Sequence, residues 1–224
     1  MDAASGVDVA ALVDAGQAVA MPGGSALLGP DVCTIAPPVP QDAPSLRDAD
    51  VLRAFVPYDD GSGAQGPGCV LDLSTFMEWM PLAKGWTVAE AEDAYRKLVS
   101  AGIASGDLRF FSTDILATPP GVQLVTGRCE DAPGAAALRA SHDEIMRWFD
   151  PFIRAVGPQT PCRNGATVLD ADGFAVMNEI TGGTHVNAWL AFEVWLIAYG
   201  GGWYTFDGAG DRGTPRPPAC GMAP

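Results

Sequence analysis

The chain has 224 residues and a formal net charge of −14, from 13 basic against 27 acidic side chains. Hydrophobic residues make up 48% and charged ones 18%, which excludes a chain disordered by composition and a charge-rich coiled coil. The acidic balance argues against a general binder of phosphate backbones, and no apolar run of some twenty residues marks a membrane span.

The N-terminus is rich in Ala and Val, but its early charges are Asp2, Asp8 and Asp14 and the first basic residue is Arg47. A signal peptide needs a basic stretch ahead of its apolar core, so no secretory signal is expected and the expected address is cytoplasmic or virion. Val7 to Ala20 is expected to form a short helix with Val9, Leu12 and Val13 on one side. Residues 21 to 44 hold Pro22, Pro30, Pro37, Pro38, Pro40 and Pro44. Proline fixes φ and removes a donor, so this stretch reads as an extended arm.

Ser45 is expected to open a helix, with Asp48 at capping-box distance, Leu46, Val51, Leu52 and Phe55 as apolar positions, and Pro57 as its stop. Residues 58 to 68, YDDGSGAQGPG, read as a loop, and the apolar run CVLDL leads into a second helix over about Ser74 to Met80. The clearest element is TVAEAEDAYRKLVSAG. Thr87 and Glu90 form a capping box, and Val88, Ala91, Tyr95, Leu98 and Val99 share one face. Glu92–Arg96 and Asp93–Lys97 are i,i+4 pairs, and Gly102 is the expected C-terminal stop. LRFFSTDIL and VQLVTG flank ATPPG as a β-hairpin.

After Pro133, Ser141 and Glu144 suggest another capping box. Ile145, Trp148, Phe149, Phe152, Ile153 and Val156 form a wide apolar stripe, and Pro151 is expected either to bend the helix or to start a new one at Asp150. The C-terminal third reads as β: ATVLD and FAVMNEI joined by a turn at Asp170 to Gly173, then THVNAWLAFEVWLIAYG alternating with period two, with a buried helix over 188–199 as the alternative. Gly200 to Gly202 turns the chain into WYTFD as a last strand. The fold class is α+β, divided into an N-terminal helix and arm (1–44), a helical unit with a hairpin (45–127), a helix plus antiparallel β unit (128–207) and an extended tail (208–224).

The order helix, short apolar run, helix, TVAEAEDAYRKLVSAGI and hairpin over Ser45 to Gly127 resembles a winged helix-turn-helix. That family commonly binds DNA through its third helix, although many members serve protein contacts alone. Here residues 45–127 carry 6 basic and 11 acidic side chains, a net of −5, which would repel phosphate.

The five cysteines, Cys33, Cys69, Cys129, Cys162 and Cys220, are odd in number, with no CxxC and no two within four residues. This reads as mostly buried or inert thiols in a reducing compartment, with no metal site. The DADG turn with Glu179 resembles half an EF-hand loop but has Val168 where the first carboxylate belongs. GSGAQGPG lacks the following Lys-Ser/Thr of a phosphate loop. Of the two histidines, His142 lies at a helix start, and His185 precedes a segment ending in Asp207. That order is similar to the His…Asp half of transglutaminase-like cysteine hydrolases. The resemblance implies Cys162 or Cys129 as nucleophile, His185 as base and Asp207 as its orienter, with a His-to-Asp interval longer than the family's and Cys162 in the loop-like context TPCRNG.

No cofactor or metal is expected. With extended arms that bury little surface of their own, the sequence points to a structural or interaction protein in an assembly, most specifically a viral coat or coat-associated component. Its expected partners are other protein subunits, with no direct nucleic acid and no membrane.

Overall fold

The computed structural model describes residues 8–20, 26–59, 65–111, 121–156, 171–201 and 221–222. Asp8 caps α1 (Val9–Asp14), its carboxylate accepting from the Ala11 amide at 3.1 Å. The expected single helix stops there, because Gly16 turns the chain at φ 70° into β1 (Ala18–Ala20). β1 pairs antiparallel with β2 (Ala26–Leu28), and β2 with β7 (Gly221–Met222), so the chain's two end regions meet in one small three-stranded sheet.

Residues 33–40 have no regular structure, as the prolines require. The arm is nonetheless held by its own chain. Ile35 is buried, its amide donates to Asp150 Oδ1 at 2.6 Å, and the Arg154 guanidinium donates to the carbonyls of Leu28 and Cys33.

α2 (Ala49–Leu52) is one turn long, capped by Asp48 rather than opened at Ser45. The chain then enters β3 (Phe55–Asp59), which pairs with β4 (Gln65–Leu71), so a hairpin stands where a helix end and a loop were expected. Pro57 lies within β3 without harm because β3 is an edge strand, where a missing amide costs no ladder bond. Asp72 caps α3 (Leu73–Lys84), and Thr87 with Glu90 forms the expected capping box of α4 (Val88–Ser105). α4 runs past Gly102 to end at Gly106, whose φ of 82° suits the left-handed cap. Gly102 serves packing instead: a Cβ there would run into the Leu108 side chain. β5 (Leu108–Phe111) and β6 (Gly121–Leu124) form the expected hairpin, and the four-stranded antiparallel sheet has the order β3-β4-β6-β5.

α5 (Ala135–Ala140) leads to α6 (His142–Val156), whose apolar stripe buries Ile145, Phe149, Phe152, Ile153 and Val156, with Pro151 inside the helix. Ser141 and Glu144 form no capping box: the Ser141 hydroxyl donates to the Leu138 carbonyl, and Glu144 is engaged elsewhere. The fold is α+β, but its C-terminal part departs from the expected strands. FAVMNEI lies in α7 (Ala171–Thr181), and the alternating segment supplies α8 (Leu190–Gly200), the helical alternative. α8 is apolar nearly all round, so period two and period 3.6 fit it equally well, and burial decides for a helix that satisfies its own backbone. ATVLD and WYTFD lie outside the described residues.

α8 packs most extensively on α4. The Ser100 hydroxyl donates to the Ile197 carbonyl at 2.7 Å, and Gly200 lets the two backbones approach where a Cβ would overlap Ser100 and the Arg96 carbonyl. A single continuous core draws on Ile35, Phe76, Ile103, Leu124, Phe149 and Val194, crossing the boundary drawn at 127/128. No described helix is long and apolar enough to cross a membrane.

Candidate functional site

α4 lies beside the groove and the buried charge cluster. Its first turn is set by Thr87, whose amide donates to Glu90 Oε2 at 2.7 Å, and these bonds hold the Glu90 carboxyl below its ordinary range. Its inner face buries Ala91, Ala94, Leu98, Val99, Ser100, Gly102 and Ile103. The arm passes along its C-terminal half, leaving a groove of about 680 Å³ whose walls include Pro37, Pro38, Leu46, Leu98, Ala101 and Met146. Arg47 and Asp107 are its charged lining residues.

Behind α4 lies a buried charge cluster. Arg109 on β5 and Glu193 on α8 are both fully enclosed and meet in a fork, Nε to Oε1 at 2.8 Å and Nη2 to Oε2 at 2.8 Å. The Phe110 amide donates to Glu193 Oε1 at 2.8 Å, the Asn187 side-chain amide donates to Oε2, and Arg109 Nη1 donates to the Leu138 carbonyl. Asn187 is held in turn by the Trp189 amide on its Oδ1 and by Glu144, which accepts from the amides of Val186 and Asn187. A carboxylate with four donors and a paired guanidinium is a closed system, which clamps β5 to α8 and leaves no lone pair facing a ligand.

His142, the first residue of α6, packs its ring against Gly106 and is half-buried. Its Nδ1 has no hydrogen-bond partner among the described residues. Burial lowers its pKa below the ordinary histidine value, the nearby Arg109 lowers it further, and Asp143, Glu193 and Asp107 oppose both. It is a neutral imidazole at neutral pH.

Of the expected hydrolytic residues, the structure describes His185 and Cys129. His185 lies between α7 and α8 rather than on a strand, with its Nδ1 2.9 Å from the Thr181 hydroxyl. That hydroxyl also donates to the Met177 carbonyl, so it is tied to the helix end. Cys129 is not a thiol: it is joined to Cys69 with a Cα–Cα distance of 5.8 Å across 60 residues of sequence. Cys33 is disulfide-bonded as well. The expectation of inert thiols is therefore corrected for these three cysteines, since burial placed Cys69 and Cys129 beside each other in the core. Cys162 and Asp207 lie outside the described residues, as does Asp170 of the calcium-loop resemblance. Residues 171–179 of that loop lie in helix α7, where Glu179 is exposed. Among the described residues no group of three or more His, Cys, Asp or Glu side chains is placed to hold a metal ion.

The Arg109–Glu193 clamp was not foreseen, yet the signal was present. Glu193 is the lone charge in AWLAFEVWLIA and Arg109 the lone charge in LRFF. A charge inside an apolar run either reaches solvent or needs a partner of opposite sign. No family model, no curated protein and no solved structure matches this chain.

Proposed function

We propose that the chain is a structural and interaction protein, a subunit of a larger assembly, whose winged-helix-like unit serves protein contacts and not nucleic acid. A viral coat or coat-associated component is the most specific form of this reading. The observation that carries it is the placement of α4. In a DNA-reading winged helix the corresponding helix stands free to enter the major groove. Here α8 packs onto the second half of α4, through the Ser100–Ile197 bond and the close approach of Gly200 to Ser100 and Arg96. What it leaves exposed at its N-terminal turn is Val88, Ala89, Glu90 and Glu92, an apolar and acidic surface. That surface repels phosphate and suits a protein neighbour. The arm adds to this reading. It is stiffened by proline, walls an apolar groove and presents Val39 at 79% exposure beside the half-exposed Met146.

Sedimentation of the full chain tests the assembly reading, which expects oligomers or higher-order particles whose proportion rises with concentration. A monomer at all concentrations overturns it. A mobility-shift assay at low salt separates the rival use of the winged-helix-like unit, because binding of duplex DNA there would show that charge had been outweighed.

A further inference from the structure

We propose that closing the Cys69–Cys129 bridge is a maturation step of this chain, carried out by a disulfide-bearing oxidant, and that the folded protein works where thiols are held oxidised. The inference is independent of the assembly reading, since solution size does not enter its test.

Three features of the structure carry it. The first is where the bridge sits. Cys69 is on β4, and Cys129 ends a single 3-10 turn, Gly127–Cys129, that follows β6. β4 and β6 meet over only two residue pairs, Val70 with Gln123 and Leu71 with Val122. The bridge is fastened beside the end of this short seam. The ring it closes contains all of α3, α4, β5 and β6, so one covalent link spans the whole helix-helix-hairpin unit.

The second is that the two cysteines are positioned by a neighbour. Arg128 donates through Nη2 to the Gly68 carbonyl at 2.8 Å and to the Leu52 carbonyl at 3.4 Å. Gly68 and Arg128 are the residues immediately before Cys69 and Cys129, so this bond holds the two backbones together beside the sulfurs. Arg128 is a positioning residue for the bridge, and it raises the effective concentration of one thiol about the other.

The third is burial and number. Cys69 and Cys129 are 3% and 0% exposed, away from the accessible setting of a redox-sensing thiol. With Cys33 also bonded, all three cysteines among the described residues are in disulfides. Buried structural bridges in such proportion belong to extracellular, periplasmic, lumenal or virion-surface proteins rather than to the cytosol.

The step balances as thiol–disulfide exchange. The thiolate of one cysteine attacks the oxidant's disulfide and expels one of its sulfurs as a thiolate. The second cysteine's thiolate then displaces the other oxidant sulfur. The chain gives up two electrons and two protons, and the oxidant leaves as two thiols or one dithiol.

The test uses the full chain, oxidised with glutathione, quenched by alkylation under denaturing conditions and mapped by mass spectrometry. The expected result is a peptide pair joined through Cys69 and Cys129 that stays joined in equal concentrations of reduced and oxidised glutathione. Arg128→Ala is expected to lower the equilibrium constant for that bridge roughly tenfold, the worth of one hydrogen bond from a charged donor, while the bond at Cys33 keeps its constant. The bridged chain is also expected to unfold at a higher urea concentration than Cys69→Ala/Cys129→Ala, and failure of that double variant to fold counts the same way. Recovery of both cysteines as alkylated thiols after oxidation overturns the proposal, as does an equal urea midpoint for the bridged chain and the double variant. An unchanged constant in Arg128→Ala removes the positioning role.

Discussion

Two sets of ion pairs in this molecule have nearly the same geometry and opposite consequences. Arg109 and Glu193 meet at 2.8 Å with both side chains fully enclosed. Lys84 meets Asp48 at 2.9 Å and Asp50 at 2.8 Å with all three side chains partly in solvent. In the first set, water has been stripped from both charges, and hydrogen bonds from Phe110 and Asn187 replace it. Such a pair adds little net stability when whole, but either half left alone is very costly. In the second set, each charge keeps its water as an alternative partner, so neither the gain nor the loss is large. Distance alone does not rank these contacts; desolvation does.

The largest expected effect follows from breaking the enclosed pair unevenly. Glu193→Ala leaves Arg109 charged and unpaired inside the protein, and should destabilise the fold by about 3–5 kcal/mol in urea unfolding. Glu193→Gln, which keeps the shape, should lose much of the same amount. If either variant does not fold, the double replacement Arg109→Met/Glu193→Met decides the matter. Removing both charges should recover most of the loss, leaving a deficit of about 1–3 kcal/mol because the Phe110 amide, Asn187 and the Leu138 carbonyl lose their bonds to the pair. A double variant as damaged as Glu193→Ala would mean that the pair itself, not its imbalance, holds β5 to α8.

Next in size is a change at the same helix that touches no charge. Gly200→Ala places a methyl group against Ser100 and the Arg96 carbonyl, where backbone must move to admit it. A destabilisation of about 1–3 kcal/mol is expected, visible as a lower urea midpoint. Gly102→Ala meets the enclosed Leu108 side chain, with no backbone atom among its three nearest contacts, and should cost less than Gly200→Ala. Equal costs would show that α4 and α8 are no more closely seated than α4 and β5.

His142 stands between the two extremes of burial, and pH reads it out. Its folded pKa lies below the ordinary value of 6.5, chiefly through burial and then through Arg109. The unfolded chain therefore takes up this proton first. Stability from this residue is level above about pH 6.5, declines as the pH falls below that value and levels off under the folded pKa. Urea midpoints measured between neutral and mildly acid pH should fall, and His142→Asn should remove that part of the slope. An unchanged slope would place the acid sensitivity in the carboxylates around it.

What the sequence disclosed divides along a physical line. The start of α4, the stripe on α6 and the β5–β6 hairpin are written in local chemistry: a Thr and a Glu three apart, apolar residues at helical spacing, a Pro-Pro-Gly loop. The end of α4 was misplaced because Gly102 looks like a stop, whereas its small size answers to Leu108 beyond the helix. α7 carried a stop that went unread, Gly182 and Gly183 at φ 62° and 68°, placing a helix end where strands were expected. α8 gave no usable period because it is buried on nearly every side. The clamp joins residues 84 apart, and the bridge joins residues 60 apart. No local pattern fixes such a pairing. A lone charge in an apolar run says only that a partner is needed, not which one.

The smallest effect belongs to the surface set, and it sharpens the opening contrast most directly. Hydrogen bonds to Asp50 and Asp48 raise the Lys84 pKa, and the bond from Lys84 lowers that of Asp48. The signs set the window. The contribution of Asp48 is present above its ordinary value of 3.8 and is lost as the pH falls through the lowered one. That of Lys84 is present below 10.5 and is lost as the pH rises through the raised one. Between these limits Lys84→Met should shift the urea midpoint at the edge of detection, and added salt should erase the shift by screening charges that water already reaches. The deficit of Glu193→Ala should persist in the same salt, because ions do not enter the space between β5 and α8. A surface set that proved as costly to break as the enclosed one, and as indifferent to salt, would mean that Asp48 also fixes the arm through α2, and that its cap, not its charge, was being measured.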